Sequence, residues 1–409
     1  MKIAFIVTHF PALSETFILK QITGLLNLGH DVEIFAFNNP GEEKVHSDVE
    51  KYRLMERVHY FSDDTVAYNG IHYLFKAAHV IKNYFFKFPL KILKSLNVFQ
   101  YKIDAPLFFL LYATSCFLDK KFDVINCHFG PNGIIGIKLK EIGIEGKIVT
   151  VFHGFDMSRY VSEKGNKVYD RLFLECDLCM PISDYWKKKL IEMGCSEDKI
   201  IVHRMGIDLD KFKFLKRKLL PGKTIKILSV GRLIEKKGYE FTIRAIANVI
   251  DRYKHITYYI AGDGPLRNKL EDLVSELGVK KYVKFLGALN QEEVLKFYEQ
   301  AHVFVLSSIT ANNEKEGIPV VLMEAHASGL PVISTYHSGI PELVVDKKSG
   351  FLVPEKNIDS LAEKIEYFID HPDVIPEMGS YGRKIVEDNF NIRKLNQQLV
   401  DIYSDLIGH

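Results

Sequence analysis

The sequence predicts an α/β protein with two doubly wound domains whose parallel sheets face a central cleft. Short apolar, β-branched segments alternate with amphipathic segments, which is typical of parallel strands covered by helices. The chain has 409 residues, more than a single hydrophobic core usually holds. The alternation stops once, over residues 212–223, and then resumes. Two Rossmann-like domains explain this pattern, and such domains bind ligands at the carboxyl ends of their strands.

The first series of elements predicts a domain over residues 1–211. It begins with a buried strand rather than a signal peptide, because the apolar segment at the N-terminus is short. The predicted strands are 2–7, 31–37, 123–129, 147–153, 177–182 and 199–203, and the predicted helices are 14–29 and 132–143.

The second series predicts a domain over residues 224–390. Residues 212–223 are charged, contain Pro221-Gly222 and are predicted to link the two domains. A C-terminal helix over 391–409 is expected to pack back on the first domain. Strands are predicted at 226–231, within 256–264, and at 283–287, 303–306 and 332–335, with helices at 239–253 and 266–277.

Two glutamates flank the start of one more helix, which the sequence GIP at 317–319 opens and Gly329 closes. Glu316 precedes this helix and Glu324 lies inside it. The helical rise separates their carboxylates by roughly 12 Å, so they cannot act on one atom. A long ligand such as a nucleoside diphosphate sugar fits between them, with its anionic part at the helix N-terminus. The alternative is one carboxylate that favours the helix dipole and one unrelated surface glutamate.

A tight turn after the first strand of the second domain carries two cations. Gly231 is followed directly by Arg232, and Lys237 lies five residues further on. A guanidinium fork and an ammonium group at the end of a strand suit a diphosphate. Taken alone, these cations could equally be solvated residues beside a helix.

The pair Arg232-x4-Lys237, combined with Glu316-x7-Glu324, resembles the family-4 retaining glycosyltransferases of GT-B fold. AGDGP at 261–265, VKFLG at 283–287 and SGIPELV at 338–344 belong to the same resemblance. It covers essentially the whole chain and is densest between residues 227 and 354. The resemblance implies a retaining, metal-independent transfer of a sugar from a nucleoside diphosphate sugar.

The resemblance also implies roles for individual residues. Arg232 and Lys237 would hold the donor diphosphate, Glu316 would face the donor sugar, and Glu324 would bind the ribose hydroxyls. Pro319 stands where the family usually has glycine, so one backbone donor is absent there. The predicted donor-binding residues are Gly231, Arg232, Lys237, Leu286, Glu316, Gly317, Ile318 and Glu324.

Three segments of the first domain, 10–18, 127–133 and 152–158, look like a subgroup that builds bacterial exopolysaccharides of the colanic-acid and amylovoran kind. By this resemblance His153 is a catalytic residue that contacts the transferred sugar or the acceptor. Ser14, Glu15 and His128 are predicted to contact the acceptor. The alternatives are an N-cap role for Ser14, a hydrogen-bonded loop histidine at 153, and structural roles for Glu15 and His128.

No metal or cofactor is expected. Asp208-x-Asp210 imitates a metal-binding signature, but it lies just before the linker, where the family has a structural turn. Arg232, Lys237 and the helix dipole would then stabilise the leaving diphosphate. We expect front-side attack, because no residue on the acceptor face is an obvious covalent nucleophile.

A basic and aromatic segment spans residues 70–103 and contains no acidic residue. It can be read as a surface that lies on an anionic membrane or as an ordinary helix with solvated lysines. A nucleic-acid surface is disfavoured, because no binding motif accompanies it. Its cations are Lys76, Lys82, Lys87, Lys91, Lys94 and Lys102, interleaved with Tyr73, Phe75, Tyr84, Phe85, Phe86, Phe88 and Phe99.

Composition describes a globular protein, with 47% hydrophobic and 26% charged residues. The net charge of +2 gives no case for nucleic acid. Five scattered cysteines are typical of reduced thiols in the cytoplasm, and Cys176-x-x-Cys179 is predicted to be core. The longest uncharged apolar run, 105–118, is shorter than the roughly 20 residues of a membrane span. We therefore expect a cytoplasmic protein, either free or peripheral on the inner face of the plasma membrane.

The sequence thus predicts a glycosyltransferase of bacterial surface or exopolysaccharide biosynthesis. Its acceptor is expected to be a lipid-linked saccharide. A sugar-nucleotide 2-epimerase of similar fold is one alternative, although it would not need both residue pairs. A non-catalytic nucleotide-sugar-binding subunit is another, although it would have little reason to keep Glu316, Arg232, Lys237 and His153 together. A dinucleotide-dependent dehydrogenase is disfavoured, because neither first strand-to-helix turn has the G-x-G-x-x-G motif.

Overall fold

The chain folds into two parallel β-sheets joined by helices. A computed structural model describes residues 1–12, 15–41, 45–61, 70–97, 108–220 and 222–408, with the backbone alone for residues 70–73. Each sheet has six strands, and every strand pair is parallel. The predicted fold class, two doubly wound domains of the GT-B type, is confirmed.

Both sheets have the same topology, in which the first strand of the domain lies at the centre. The orders are β3-β2-β1-β4-β5-β6 and β12-β11-β10-β7-β8-β9. The first sheet comprises β1 Lys2–His9, β2 Asp31–Asn38, β3 Val58–Tyr60, β4 Val124–His128, β5 Lys147–Phe152 and β6 Leu178–Pro181. The second comprises β7 Ile225–Val230, β8 Ile256–Ala261, β9 Val283–Gly287, β10 Val303–Leu306, β11 Val332–Thr335 and β12 Gly350–Val353.

Helices connect the strands in both domains. The first domain contains α1 Thr16–Asn27, α2 Ser47–Lys51, α3 Gly70–Tyr84, α4 Pro89–Ser95, α5 Phe109–Ser115, α6 Gly130–Ile142, α7 Arg159–Lys164, α8 Asp170–Glu175 and α9 Asp184–Glu192. The second half of the chain contains α10 Tyr239–Val249, α11 Arg267–Glu276, α12 Gln291–Gln300, α13 Val320–Ala327, α14 Ile358–Asp370, α15 Val374–Asn389 and α16 Ile392–Ile407.

The sheet edges differ from the sequence prediction. Residues 199–203 are not a full strand; they run beside β6 through a single bridge between Ile200 and Cys179. The sequence analysis missed the edge strands β3 and β12, which are short and lack a long apolar run. Central strands were easier to predict, because burial on both faces demands continuous apolar sequence, as in the fully buried residues 3–7 of β1.

The linker and the C-terminal helix tie the two domains together. Arg217 in the linker is buried, and its guanidinium donates to the carbonyl oxygens of Ala301, Leu215, Ser328 and Tyr298. Helix α16 lies against α1 of the first domain, where the Asn396 amide donates to the Lys20 carbonyl oxygen at 3.2 Å. The chain therefore crosses between the domains twice.

Helices α3, α4 and α5 form a small cluster of their own at the first domain. Its buried side chains are Ala77, Val80, Ile92, Leu111, Tyr112 and Leu118. Within the described ranges, no helix is both long enough and apolar enough to cross a membrane.

Candidate active site

A cavity of about 620 Å³ lies between the domains, at the ends of strands from both sheets. The first domain lines it with Glu15, Thr16, Phe17, Phe129, His153, Phe155, Ile182 and Met205. The second domain lines it with Lys236, Lys237, Glu314, Lys315, Glu316, Gly317, Ile318, Pro319, Val320, Val321 and Glu324. This is the cleft that the strand order predicts.

Lys237 and Glu316 meet in this cavity. Lys237 ends a short 3₁₀ turn after β7, and its Nζ lies 3.0 Å from Oε1 of Glu316. Burial alone raises the pKa of Glu316, but the ammonium groups of Lys237 and Lys236 outweigh burial and hold the pKa below its ordinary value. Glu316 is therefore an ionised, largely buried carboxylate paired with a cation.

The turn that carries Lys237 depends on the glycine after it. Gly238 has φ +68°, and a Cβ there would lie 1.9 Å from the Ser307 carbonyl oxygen. Only glycine permits this left-handed conformation and close approach together. The contact holds the turn against the end of β10, just before the loop that carries Glu316.

Glu324 lies in α13 and faces the same cavity. The hydroxyl of Tyr298 donates to its Oε2 at 2.9 Å, and burial raises the pKa of Glu324 despite that bond. The helix begins at Val320, with Pro319 as its extended N-cap, one residue later than predicted. Glu316 thus lies four residues before the first residue of the helix, so helical rise does not set the distance between the two carboxylates.

Gly317 brings the backbones of the two domains together. A Cβ at Gly317 would lie 2.5 Å from the carbonyl oxygen of His153 in the first domain. Gly317 and the neighbouring Ile318 both line the cavity, as expected of donor-binding positions. The close contact between the two domains therefore requires glycine at this position.

The cations of the predicted diphosphate site are placed differently from one another. Arg232 is exposed at the end of β7, and among the described residues the cavity lining contains neither Arg232 nor Gly231 nor Leu286. Gly231 still adjoins Lys237, whose Cε lies 3.8 Å from the position of a Cβ on Gly231. Lys237 is thus at the cavity, while Arg232 stands beside it.

His153 and His128 form a buried pair. Nε2 of His153 lies 3.0 Å from Nδ1 of His128, and the His153 ring packs on Phe17 and Phe129. Burial lowers the pKa of His153 to about 3 and, with neighbouring His153, lowers the pKa of His128 well below its ordinary value. Both rings are therefore neutral. His153 lines the cavity, but His128 is fully buried.

The structure corrects the prediction that His128 contacts the acceptor. Its side chain is enclosed beneath His153, so it reaches the cavity only through that ring. Glu15 lines the cavity at the N-cap of α1. Ser14, the other predicted acceptor residue, lies outside the described residues.

The loop after β5 is organised by Asp156, which the sequence analysis missed. Its buried carboxylate accepts the N–H groups of His153, Gly154 and Gly130 at 2.8–3.0 Å. These bonds join the loop to the start of α6 and orient the His153 backbone. An aspartate three residues after a strand-end histidine was the available signal.

His337 was also missed. Nε2 of this buried ring accepts the Glu316 N–H at 3.0 Å, and Nδ1 lies 2.6 Å from Oε1 of Glu355. His337 lies within STYHSGIPE, a motif noted only from residue 338 onward. The sequence offered no sign that its ring turns toward Glu316.

Asp208 and Asp210 have structural contacts. Asp208 accepts the backbone N–H of Asp210 in a 3₁₀ turn, and Asp210 pairs with Arg393 at the start of α16. Among the described residues, no group of three or more histidine, cysteine, aspartate or glutamate side chains is placed to hold a metal ion. The cysteines at 176 and 179 are buried in the core, as predicted.

A second set of contacts joins the start of α9 to the second domain. The Glu342 carboxylate accepts the N–H groups of Asp184 and Tyr185 at 3.0 and 2.9 Å. Arg204 pairs with both Glu342 and Asp184. Glu342 belongs to the SGIPELV segment, so that motif joins the domains as well as flanking the site.

Comparison with family models covers both domains. Residues 14–211 match the model for glycosyltransferase family 4, and residues 210–385 match the model for glycosyl transferases group 1. A relative from Salmonella typhimurium named for colanic acid biosynthesis, WcaL, is 37% identical over 98% of this chain and 99% of its own length.

The chain belongs to the family-4 glycosyltransferases of GT-B fold. The amylovoran biosynthesis glycosyltransferase AmsK of Erwinia amylovora is 38% identical over 99% of this chain and 100% of its own. The resemblance that the motifs predicted, down to the subgroup, is confirmed.

Solved structures show the same fold at lower identity. HepE from Anabaena, in complex with UDP and glucose, has a TM-score of 0.72 and 19% identity, covering 99% of this chain and 100% of its own. Sucrose-phosphate synthase from Thermosynechococcus elongatus has a TM-score of 0.73 and 19% identity, covering 100% and 99%. The shared architecture is that of GT-B enzymes.

Proposed function

We propose that this glycosyltransferase moves a sugar from a nucleoside diphosphate sugar to a saccharide acceptor in exopolysaccharide biosynthesis, with retention of anomeric configuration. The Lys237–Glu316 ion pair in the interdomain cavity carries the proposal. It places an anion-binding group beside a carboxylate that can accept from sugar hydroxyls. The names of WcaL and AmsK support the pathway, and the UDP and glucose bound to HepE support the class of donor.

In this proposal the donor spans the loop before α13. Glu324 accepts from the ribose hydroxyls, Lys237 and Arg232 neutralise the diphosphate, and Glu316 accepts from hydroxyls of the donor sugar. Backbone N–H groups of Gly317 and Ile318 lie between these ends, in the loop just before α13. Together they would stabilise the negative charge that grows on the leaving diphosphate.

The chemistry is front-side substitution. The acceptor hydroxyl forms the new bond to the anomeric carbon on the face from which the diphosphate oxygen departs, and that oxygen takes the hydroxyl proton. His153, neutral at physiological pH, can position the transferred sugar or the acceptor but is unsuited to carry a proton. We propose that no metal is required, because Lys237, Arg232 and the helix supply the charge stabilisation.

The deciding experiment incubates the purified protein with a panel of UDP and GDP sugars and follows release of the nucleoside diphosphate. Hydrolysis of one donor, and transfer of its sugar with the same anomeric configuration by NMR, is the expected result. Conversion of the donor to a 2-epimer without any acceptor would favour the epimerase. Binding of a donor with no turnover, even with oligosaccharide or lipid-linked acceptors, would favour the non-catalytic subunit.

We further propose that the protein works at the inner face of the plasma membrane, on a lipid-linked acceptor. Helices α3 and α4 and the turn between them support this, because Phe86 in the turn is 93%, Leu90 73% and Phe75 72% exposed. The described part of this segment, 70–97, contains five lysines and no acidic residue. Exposed aromatic and aliphatic side chains among lysines favour an anionic lipid surface. Lys102 and Phe99 of the predicted segment lie outside the described residues.

Vesicle flotation tests the membrane proposal. Binding to vesicles that contain phosphatidylglycerol should exceed binding to pure phosphatidylcholine and should weaken with salt, since charge attraction is screened over about 10 Å at 0.1 M. The Phe86→Ser/Leu90→Ser variant should lose most binding. Leu174→Ser is the matched control, since Leu174 is 76% exposed elsewhere on the first domain. Salt-insensitive binding to both lipids, or equal losses in both variants, contradicts the proposal.

A further inference from the structure

The loop that carries Glu316 is held at two points by a single carboxylate. Glu355 follows β12, and its Oε2 accepts the N–H of Thr310 at 2.8 Å. Its Oε1 lies 2.6 Å from Nδ1 of His337, whose Nε2 accepts the N–H of Glu316 at 3.0 Å. Glu355 thus binds the loop directly at residue 310 and, through His337, at residue 316.

These bonds determine the state of the His337 ring. A backbone N–H can only donate, so Nε2 of His337 must be unprotonated and the ring proton must lie on Nδ1, facing Glu355. Burial lowers the pKa of His337, although Glu355 and Glu316 oppose that effect and Lys315 adds to it. The ring is therefore neutral, with one tautomer and one orientation.

The middle of the same loop is bonded to the other domain. The Asn313 amide donates to the Ser162 hydroxyl at 3.0 Å, and Lys315 Nζ donates to the Tyr185 hydroxyl at 2.9 Å. Separation of the domains would break these bonds and pull on the loop next to Glu316. The bond from His337 keeps the Glu316 backbone with the second domain, where Lys237 lies.

We propose that His337 and Glu355 are positioning residues that hold Glu316 against Lys237 and against the hydroxyls of the donor sugar. The proposal rests on the proposed function, because it assumes that Glu316 faces the donor sugar. With the backbone N–H of Glu316 bonded to His337 and its carboxylate paired with the Lys237 ammonium at 3.0 Å, little freedom remains for this side chain. Reactions of this kind are sensitive to displacements of about 1 Å.

Three variants separate the hydrogen bonds from the bulk of the ring. His337→Leu fills the space but offers no acceptor to Glu316 and no donor to Glu355. His337→Gln offers an amide oxygen and an amide N–H in similar places. Glu355→Gln keeps an acceptor for Thr310 but removes the charge that orients the ring. His203→Leu is the matched control, since this buried ring bonds to the Leu395 carbonyl oxygen at the packing of α16.

Three measurements are made on each variant. Amide hydrogen exchange over residues 308–318 reports whether the hydrogen bond from the Glu316 N–H to His337 is present, and it needs no substrate. Steady-state kinetics measures how loss of this bond changes turnover, with the UDP or GDP sugar that the wild-type protein hydrolyses fastest as the donor. Calorimetry with the matching nucleoside diphosphate measures binding at the nucleotide end of the site.

For His337→Leu we expect exchange at the Glu316 amide to be faster and kcat to fall about 10- to 100-fold, with nucleoside diphosphate affinity changed by less than about threefold. His337→Gln should recover most of kcat, and Glu355→Gln should fall between the two. His203→Leu should lower thermal stability without changing kcat by more than about twofold.

Unchanged kcat in His337→Leu despite faster exchange would overturn the positioning role. Equal loss of kcat in the Leu and Gln variants would show that ring shape, not hydrogen bonding, matters, and would overturn it too. If the wild-type protein neither binds nor turns over any nucleotide sugar, the proposed function fails and takes the positioning role with it. The exchange measurement still reports the His337–Glu316 bond in that case, so the two failures are distinguishable.

Discussion

The two domains have the same strand order but present opposite chemistry to the cleft. The second domain contributes an ion pair, Lys237 with Glu316, and further charged side chains on the same loop. The first domain contributes mainly aromatic rings and the neutral ring of His153, which His128 supports from beneath, with Glu15 as a charged group. Topology places loops at one edge of each sheet, but the residues on those loops decide what each edge can bind.

The difference suits the proposed reaction. In that reaction the diphosphate leaving group needs fixed positive charge near it, whereas the saccharide acceptor needs hydrogen bonds and apolar faces for its ring. His128 and His153 stay uncharged in the first domain because burial lowers the pKa of both rings. Glu316 stays charged in the second domain because Lys237 and Lys236 offset its burial.

The largest expected effect comes from removing the lysine of the ion pair in the second domain. Lys237→Ala should fold normally but lose about 100- to 1000-fold in kcat, because one charge-assisted contact to the transition state is worth about 2.7–4 kcal/mol. Single-turnover assays with saturating donor measure it. Lys236→Ala is the control, because Lys236 pairs with Glu314 at 2.5 Å and should lose far less. Near-normal turnover in Lys237→Ala would remove it from the diphosphate site.

A second prediction assigns the two glutamates of the second domain to different ends of the donor, Glu324 to the nucleotide and Glu316 to the sugar. Glu324→Ala should weaken nucleoside diphosphate binding by about 1.5–3 kcal/mol, since hydrogen bonds to a carboxylate have that strength. Glu316→Ala should leave this affinity nearly unchanged while reducing transfer and blurring donor-sugar choice. Calorimetry with the diphosphate, beside turnover of the intact donor, separates the ends. Equal losses of affinity in the two variants would show that the assignment of ends is wrong.

The third prediction concerns the neutral side. The pKa of His153 in the folded protein, about 3, lies below the ordinary value of 6.5. As pH falls below about 6.5 the unfolded chain binds a proton that the native ring does not, so stability declines until about pH 3. The free energy of unfolding of His153→Gln should therefore fall less steeply with decreasing pH than that of the wild type, by about 1 kcal/mol per pH unit in this range. Unfolding by urea at pH 7 and pH 5 measures it, and identical pH dependence in both proteins would contradict the burial argument.

The smallest expected effect is that of chelation. Because protein cations are proposed to neutralise the diphosphate, exhaustive EDTA treatment should leave turnover unchanged. The control adds Mn²⁺ or Mg²⁺ back to the treated protein. A loss of activity that either ion restores would mean that a metal enters with the donor, or that Asp208 and Asp210 bind one.

Local sequence was enough to predict the fold class and much of the second domain's site. A buried strand, a glycine turn and a helix start follow one another within a few residues there, so the sequence alone places Lys237 at a strand end and Glu316 just before a helix. The cleft follows from the parallel topology, because loops at the carboxyl ends of strands meet at one edge.

Only the tertiary structure decided which distant side chains meet at the site. Whether His128 faces the cavity or the core depends on the enclosing ring of His153, 25 residues away. The bond between Glu316 and His337 spans 21 residues, and the contacts of Glu342 with α9 join the two domains. Such contacts leave no periodic or short-range signal in the sequence, because packing between distant segments, and not the local backbone, brings these atoms together.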